Sequence, residues 1–225
     1  MSLWSRILQA ITAVGGSVAA FFTRREVVPE RSIAFTIGVI ALGAKMAKAD
    51  GAVTADEITA FKQVFHVPEA ELAGVARVFN LAKKDVAGYE FYARQLARLF
   101  KSKPQVLEDV LDSLFHIAKA DDALHEGEVA YLESVAAHFG FDSGRFAQIR
   151  ARHIRGGRSD DYVILGASPD EPDHEIRKKY HKLVREHHPD RHIAAGMPAE
   201  IVDIATKRLA RINAAYDVIA RERGL

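Results

Sequence analysis

Apolar residues recur every three to four positions along almost the whole chain, and no stretch shows the sustained alternation of a β-strand. A period near 3.6 places apolar side chains on one face of a helix, whereas a half-buried strand has a period of two. Only 15 glycines and 7 prolines interrupt the 225 residues, and both residue types weaken helices. The sequence therefore predicts an all-α protein of one or two domains.

The composition excludes several classes of protein. Hydrophobic residues make up 48% and charged residues 27%, which is ordinary for a globular chain and unlike a disordered or multi-span membrane protein. The 31 basic and 30 acidic residues nearly cancel, so any basic surface must be local and nucleic acid is not an expected partner. No cysteine is present, which excludes disulfides and thiolate metal sites and fits a reducing, cytoplasmic location.

The first 30 residues contain an apolar stretch, residues 7–22. As a helix it would span about 24 Å, less than the ~30 Å hydrocarbon core of a bilayer. Its large apolar residues follow one helical stripe: Trp4, Ile7, Leu8, Ile11, Val14, Val18, Phe21 and Phe22. The stripe predicts a helix lying on a membrane, such as the inner face of the inner membrane, or docked on a partner. A helix packed on its own domain and a true span are the alternatives.

Residues 31–155 predict helix after helix, with residues 33–44 as a buried core helix. Pro68 and Pro104 fit the first turns of the helices that follow them. Residues 47–57 (AKADGAVTADE) and 118–128 (AKADDALHEGE) align at an offset of 71 residues. A helix–acidic turn–helix unit therefore occurs twice.

Each acidic turn pairs an aspartate with a glutamate seven residues later: Asp50 with Glu57, and Asp121 with Glu128. A divalent cation is one interpretation, but Ala52 and Thr54 occupy the alternating positions after Asp50, which leaves too few oxygens for a calcium loop. The favoured interpretation is that Asp50 and Asp121 cap helix N-termini.

This central region resembles the TerB-like helical domain, which carries an acidic Lys-Ala-Asp-Gly turn followed by a Thr-x-Asp-Glu helix start. The match covers roughly residues 31–150 and is strongest at residues 47–57. The resemblance implies a helical bundle with pseudo-twofold symmetry and supplies no reaction. It suggests, as an alternative function, a metal-binding or stress-sensing scaffold.

Gly156 and Gly157 mark a linker at residues 156–159. The cations around them could contact nucleic acid or anionic lipid: Arg150, Arg152, His153, Arg155 and Arg158. A solvated helix end is the favoured interpretation, because cations stabilise a helix C-terminus and no aromatic residues are interleaved for base stacking.

Residues 160–225 form the last domain, in which the sequence predicts three helices. The first is short and ends at Gly166, the second covers residues 174–187, and the third covers about 198–223. In the second helix, Ile176, Tyr180 and Leu183 share the core face. Basic residues lie on or beside the opposite face: Arg177, Lys178, Lys179, Lys182 and Arg185.

The triplet His188-Pro189-Asp190 follows this basic helix. Pro189 disfavours a helical conformation for His188 and has no backbone N–H to donate, so the helix must end there. The loop should run through residues 196–198. Two amphipathic helices joined by this loop should pack antiparallel and expose the triplet at the tip of the hairpin.

The order of these motifs resembles a J domain across residues 160–220. The matching segments are residues 162–166 (YVILG), 168–169 (SP), 176–183 (IRKKYHKL), 187–191 (HHPDR) and 212–216 (INAAY). With the TerB-like domain upstream, the chain is similar to the DjlA type of J protein. Two departures are Lys179, where the family usually has alanine, and an N-terminal segment weaker than the expected membrane span.

The resemblance implies a co-chaperone that binds a DnaK-type chaperone and stimulates its ATP hydrolysis. The implied contacts are His188, Pro189, Asp190 and the basic side chains Arg177, Lys178, Lys182 and Arg185. The cations would steer the domain toward an acidic partner surface, and Asp190 suits an arginine of the partner. No cofactor is implied, and the sequence leaves open the client and whether the chain forms a homodimer.

The competing interpretation is a histidine metal site or a hydrolase. Five histidines lie within 19 residues: His174, His181, His187, His188 and His192. Pro189 breaks the helical spacing between His188 and His192, so these two cannot share a helix face as zinc ligands. His174, His181 and His188 are spaced seven apart and could line one side of the second helix, but no carboxylate is evident to support them. No nucleophile–base motif, phosphate-binding glycine loop or dinucleotide fingerprint occurs, so the sequence does not predict an enzyme.

Overall fold

The structure is a computed structural model that describes residues 3–13, 15–23, 31–49, 69, 72–84, 87–119, 124–154, 159–194 and 199–225. It divides into two compact units, Met1–Gly140 and Phe141–Leu225. The described residues contain helices and no strand, which confirms the all-α prediction. Pro68, the first acidic turn and Asp121 of the second turn lie outside the described residues.

The helices of the first unit are α1 (Leu3–Thr12), α2 (Val18–Thr23), α3 (Arg31–Ala49), α4 (Leu72–Lys84), α5 (Tyr89–Leu99), α6 (Pro104–Ala118) and α7 (Glu126–Phe139). Those of the second unit are α8 (Ser143–His153), α9 (Ser159–Leu165), α10 (Asp173–Glu186), α11 (Asp190–Ala194) and α12 (Ala199–Arg223).

Helix α3 forms the centre of the first unit, as the sequence predicts for residues 33–44. Every residue from 33 to 46 is buried, and α3 contacts each of the other helices described in the unit. At Gly38, an added Cβ would lie 2.6 Å from Leu96 Cδ2 on α5, so any side chain here would require Leu96 to move. The Tyr131 hydroxyl donates to the Leu42 carbonyl over 2.8 Å, and burial raises the pKa of Tyr131.

The N-terminal stripe is divided between two short helices. Gly15 and Gly16 both have φ of +78°, a left-handed conformation that ends α1 before α2 begins. Ile7, Ile11 and Val18 are buried within the first unit, so packing on its own domain is the alternative that the structure supports. No described helix has both the length and the apolar character needed to cross a membrane.

Several helix boundaries follow local backbone chemistry. Pro104 occupies the first turn of α6, as predicted. Glu128 accepts a hydrogen bond from the His125 backbone N–H over 2.9 Å and thereby caps the start of α7. Gly140, with φ of +86°, ends α7. Glu128 therefore caps a helix start, whereas Asp50 and Asp121, to which the sequence assigns that role, lie outside the described residues.

The second unit is built around one apolar core shared by four helices: Ala151, Tyr162, Ile164, Leu165, Ile176, Leu183, Ile212, Ala215 and Ile219. Tyr180 of α10 stacks on Tyr216 of α12 with ring centroids 4.0 Å apart and planes 6° apart. The Tyr180 hydroxyl donates to Asn213 Oδ1 over 3.2 Å. Together these contacts fix α10 against α12.

Candidate functional site

The His188-Pro189-Asp190 triplet joins α10 to the short helix α11. Helix α10 ends at Glu186, and the His187 N–H donates to the Leu183 carbonyl over 2.9 Å. The chain re-enters a helix at once, because Arg191 N–H donates to the His188 carbonyl (3.1 Å) and His192 N–H to the Pro189 carbonyl (2.9 Å). The sequence predicted an irregular loop here and missed α11.

The two polar side chains of the triplet lie at the surface. The His188 side chain is 49% exposed and that of Asp190 is 78% exposed. His188 Nδ1 lies 3.3 Å from the Asp190 backbone N and 3.4 Å from Asp190 Oδ2. A neutral Nδ1 can accept from the N–H, and a protonated Nδ1 can donate to the carboxylate. Either contact holds the imidazole beside the carboxylate.

The basic face of α10, defined as Arg177, Lys178, Lys182 and Arg185, is open to solvent. Lys178 lies 3.3 Å from Glu175 and keeps 74% of its side chain exposed. Lys182 lies 4.0 Å from Glu186 and keeps 65% exposed. Such surface pairs are weak and compete poorly with a partner's carboxylates. Within the described residues, Arg177 and Arg185 form no ion pair.

Lys179 does not belong to this face, although the sequence places it at its flank. Its Nζ donates to the Gly166 carbonyl over 2.7 Å and to Glu171 Oε1 over 2.6 Å. The hydrogen bond from Lys179 lowers the pKa of Glu171. The residue that departs from the family pattern is therefore a tie between α10 and the segment after α9.

The sequence places His187 in the HHPDR segment and in the histidine cluster but assigns it no role of its own. It is 1% exposed and lies between two arginines. Arg145 Nη2 of α8 is 3.0 Å from His187 Nε2, and Arg208 Nη1 of α12 is 3.1 Å from His187 Nδ1. Its neighbour His188 points outward, so adjacent histidines have opposite environments.

The predicted histidine cluster does not converge on one point. His187 has a guanidinium at each ring nitrogen, His181 is exposed beside Tyr180, and His174 lies 3.6 Å from Glu175. Within the described ranges, no group of three or more histidine, aspartate or glutamate side chains is placed to hold a metal ion.

Near the C-terminal end of α12, Arg223 contacts α9, the segment between α9 and α10, and the start of α10. Arg223 Nη1 donates to Asp173 Oδ1 (2.7 Å) and to the Glu171 carbonyl (2.8 Å), and Nε donates to the Tyr162 hydroxyl (3.0 Å). The hydrogen bond with Tyr162 and the Asp173 carboxylate raise the pKa of Arg223. These contacts brace the base of α10.

Comparison with known proteins gives two family matches along the chain. The model described as "Tellurite resistance protein TerB" matches residues 36–151, and the model described as "DnaJ domain" matches residues 160–223.

Similar curated proteins carry the name "Co-chaperone protein DjlA". That of Photobacterium profundum is 29% identical and covers 93% of this chain and 85% of its own length. That of Coxiella burnetii is 28% identical, covering 80% and 74%, and that of Yersinia pseudotuberculosis is 26% identical, covering 94% and 87%. No solved structure matches the chain significantly.

The first family match spans more than half of the chain, and the second contains the His-Pro-Asp triplet, the basic face and the stacked tyrosines. The relatives align with this chain over nearly its whole length, and therefore across both matched regions. The chain, with a TerB match followed by a DnaJ match, accordingly belongs to the DjlA-type J-domain co-chaperones.

Proposed function

We propose that this chain binds a DnaK-type chaperone through the His188-Pro189-Asp190 triplet and the basic face of α10, and that it stimulates the partner's ATP hydrolysis. The observation that carries the proposal is the exposed pair of His188 and Asp190 at the end of a helix whose cations are also exposed. Acid, imidazole and cations are thus presented together to one partner.

In this proposal the basic face attracts the partner, and Asp190 forms a specific bond to it. Arg177, Lys178, Lys182 and Arg185 raise the rate of encounter with an acidic surface, an effect that salt screens over about 10 Å. Asp190, with 78% of its side chain exposed, is short and follows Pro189, so its direction varies little. A carboxylate held in this way suits a bidentate bond to an arginine of the partner.

ATP hydrolysis belongs to the partner in this proposal. The co-chaperone binds one conformation of the ATPase more tightly than the other and thereby shifts its population. Since ATP is the substrate and no cysteine is present, we expect this action in the cytoplasm. The chain is a regulator and not an enzyme.

Single substitutions in the triplet, Asp190→Asn and His188→Gln, test the proposal. Asp190→Asn keeps the shape of the side chain and removes its charge, and losing one partner of a close charge pair costs about 2–5 kcal/mol. We expect the stimulated ATPase rate to fall to the basal rate, with unchanged helicity by circular dichroism. His188→Gln should have the same effect.

Asp170→Asn is the matched control, because Asp170 is an exposed carboxylate in the same unit outside the triplet. It should stimulate as the wild type does. Full stimulation by Asp190→Asn and His188→Gln would overturn the proposal, as would equal loss in the Asp170→Asn control.

A further inference from the structure

Helix α8 is part of the compact second unit although it precedes the DnaJ match at residues 160–223. Its Ala151 lies in the core of that unit. The Arg152 carbonyl accepts a hydrogen bond from Arg211 Nε of α12 over 3.1 Å. Gln148 packs so closely on Gly166 that a Cβ there would collide with its amide. Helix α8 therefore contacts the rest of the unit through Gln148, Ala151 and Arg152.

Arg145, near the start of α8, reaches the residue directly before the triplet. Its Nη1 donates to Gln148 Oε1 over 2.7 Å, and its Nη2 lies 3.0 Å from His187 Nε2. Gln148 thus holds one side of the guanidinium while the other faces the imidazole. Arg208 approaches the opposite ring nitrogen from α12.

The chemistry of these groups restricts the imidazole. A guanidinium can only donate, and a neutral imidazole has one accepting nitrogen. Only one of the two arginine contacts is therefore a hydrogen bond, and the ring is held between cations from two different helices. His187 also caps α10 through its backbone. The contacts that hold the imidazole therefore act on the residue that ends α10 and directly precedes His188.

We propose that Arg145 is a positioning residue for the His188-Pro189-Asp190 triplet, acting through His187. Helix α8, which lies outside the DnaJ match, is then a working part of the chaperone-stimulating unit. This inference rests on the proposed function for its activity readout, and it has a second readout that needs no partner.

The experiment uses the full chain with Arg145→Ala, and Arg150→Ala as the matched control. Arg150 is an exposed arginine on the same helix, so both variants lose one positive charge. Amide hydrogen exchange is followed at His192 and Ile193, whose N–H groups donate to the Pro189 carbonyl (2.9 and 3.2 Å). ATPase stimulation is titrated with a DnaK-type chaperone.

We expect Arg145→Ala to speed exchange at these two amides several-fold and to raise the concentration for half-maximal stimulation by about fivefold, the range of a modest coupling between sites. Exchange in the middle of α10 and helicity should stay as in the wild type. Arg150→Ala should match the wild type in every measurement.

A purely stabilising role of Arg145 predicts a lower melting temperature with unchanged exchange at His192 and Ile193 and unchanged stimulation, and that result overturns the inference. If Arg145→Ala loses helicity, Arg145→Lys carries the same test. A lysine keeps the charge but its single nitrogen cannot span Gln148 and His187 as the two guanidinium nitrogens do.

The two proposals fail in different ways. If the wild type does not stimulate the ATPase, the proposed function fails, and the exchange data alone decide the role of Arg145. If the wild type stimulates and Asp190→Asn does not, while Arg145→Ala equals Arg150→Ala in both readouts, the positioning role fails and the proposed function stands.

Discussion

Helices α6 and α10 carry many charged residues and use them in opposite ways. In α6 of the first unit, Glu108, Asp109 and Asp112 are 1%, 0% and 5% exposed. In α10 of the second unit, the Lys178 and Lys182 side chains are 74% and 65% exposed. Charges taken out of water must be compensated inside the fold, since burying them alone is very costly.

The difference teaches where recognition can occur. The acids of α6 belong to the interior of the first unit, where no partner protein reaches them. The cations of α10 keep most of their hydration and need only exchange water for a partner's carboxylates. Charge content alone therefore does not locate a binding surface, and exposure decides between the two helices.

The largest effect should come from dividing the chain between the units. A chain of residues 141–225 retains α8, the core around Ala151 and the triplet, so we expect it to fold and to stimulate a DnaK-type ATPase. A chain of residues 159–225 lacks α8. For a unit of this size a loss of about 1 kcal/mol lowers Tm by about 4–8 °C, and we expect at least that loss.

Thermal unfolding and ATPase titration measure both chains, and residues 1–140 serve as the control that should not stimulate. Stimulation by residues 1–140 would break the contrast between the two units. Equal stability of the 141–225 and 159–225 chains would show that α8 does not belong to the C-terminal unit.

A smaller effect should follow from removing two cations of the basic face. For Lys178→Ala with Lys182→Ala, we expect the half-maximal concentration to rise about tenfold at low salt, with little change in the maximal rate, because steering acts on association. The difference from wild type should shrink as salt increases.

The matched control is Lys207→Ala with Arg221→Ala, which removes two exposed cations from α12 and leaves α10 intact. It should behave as the wild type does. A similar weakening in this control would assign the effect to net charge, and an effect that does not depend on salt would contradict electrostatic steering by α10.

The sequence predicted well those features that depend on local backbone chemistry. Pro104 begins α6, Gly166 follows α9, and α10 ends before Pro189. Prolines and glycines act on their own residue and its neighbours, so no knowledge of the rest of the fold is needed. The core face of α10 could also be predicted from the sequence, because the helical spacing of Ile176 and Leu183 places both on one face, and both are buried.

Features that depend on tertiary contacts were harder to predict. The inward direction of Lys179 depends on the Gly166 carbonyl and Glu171, and the burial of His187 depends on two helices distant in sequence. The break after α1 did have a signal in the sequence, the pair Gly15 and Gly16, which adopt positive φ. The continuous apolar stripe nevertheless favoured the prediction of one helix.

Lys179 is intermediate between the buried acids of α6 and the exposed cations of α10. Replacing it should have the smallest of the expected effects, a small change in the free energy of unfolding. Its side chain is 34% exposed and that of Glu171 is 28% exposed. Because the hydrogen bond from Lys179 lowers the pKa of Glu171 from 4.5, the ionised carboxylate stabilises the folded state above that pH. This contribution is lost as the pH falls below 4.5 and through the lowered pKa.

Lys179→Met should therefore lower the free energy of unfolding at neutral pH by up to about 1 kcal/mol, and the difference from wild type should narrow as the pH falls below 4.5. It should not vanish, because the bond to the Gly166 carbonyl does not titrate. Urea unfolding across this pH range measures the difference, with Lys178→Met on the exposed face as the control. A constant difference at all pH values would place the whole contribution of Lys179 in its bond to Gly166 and none in Glu171.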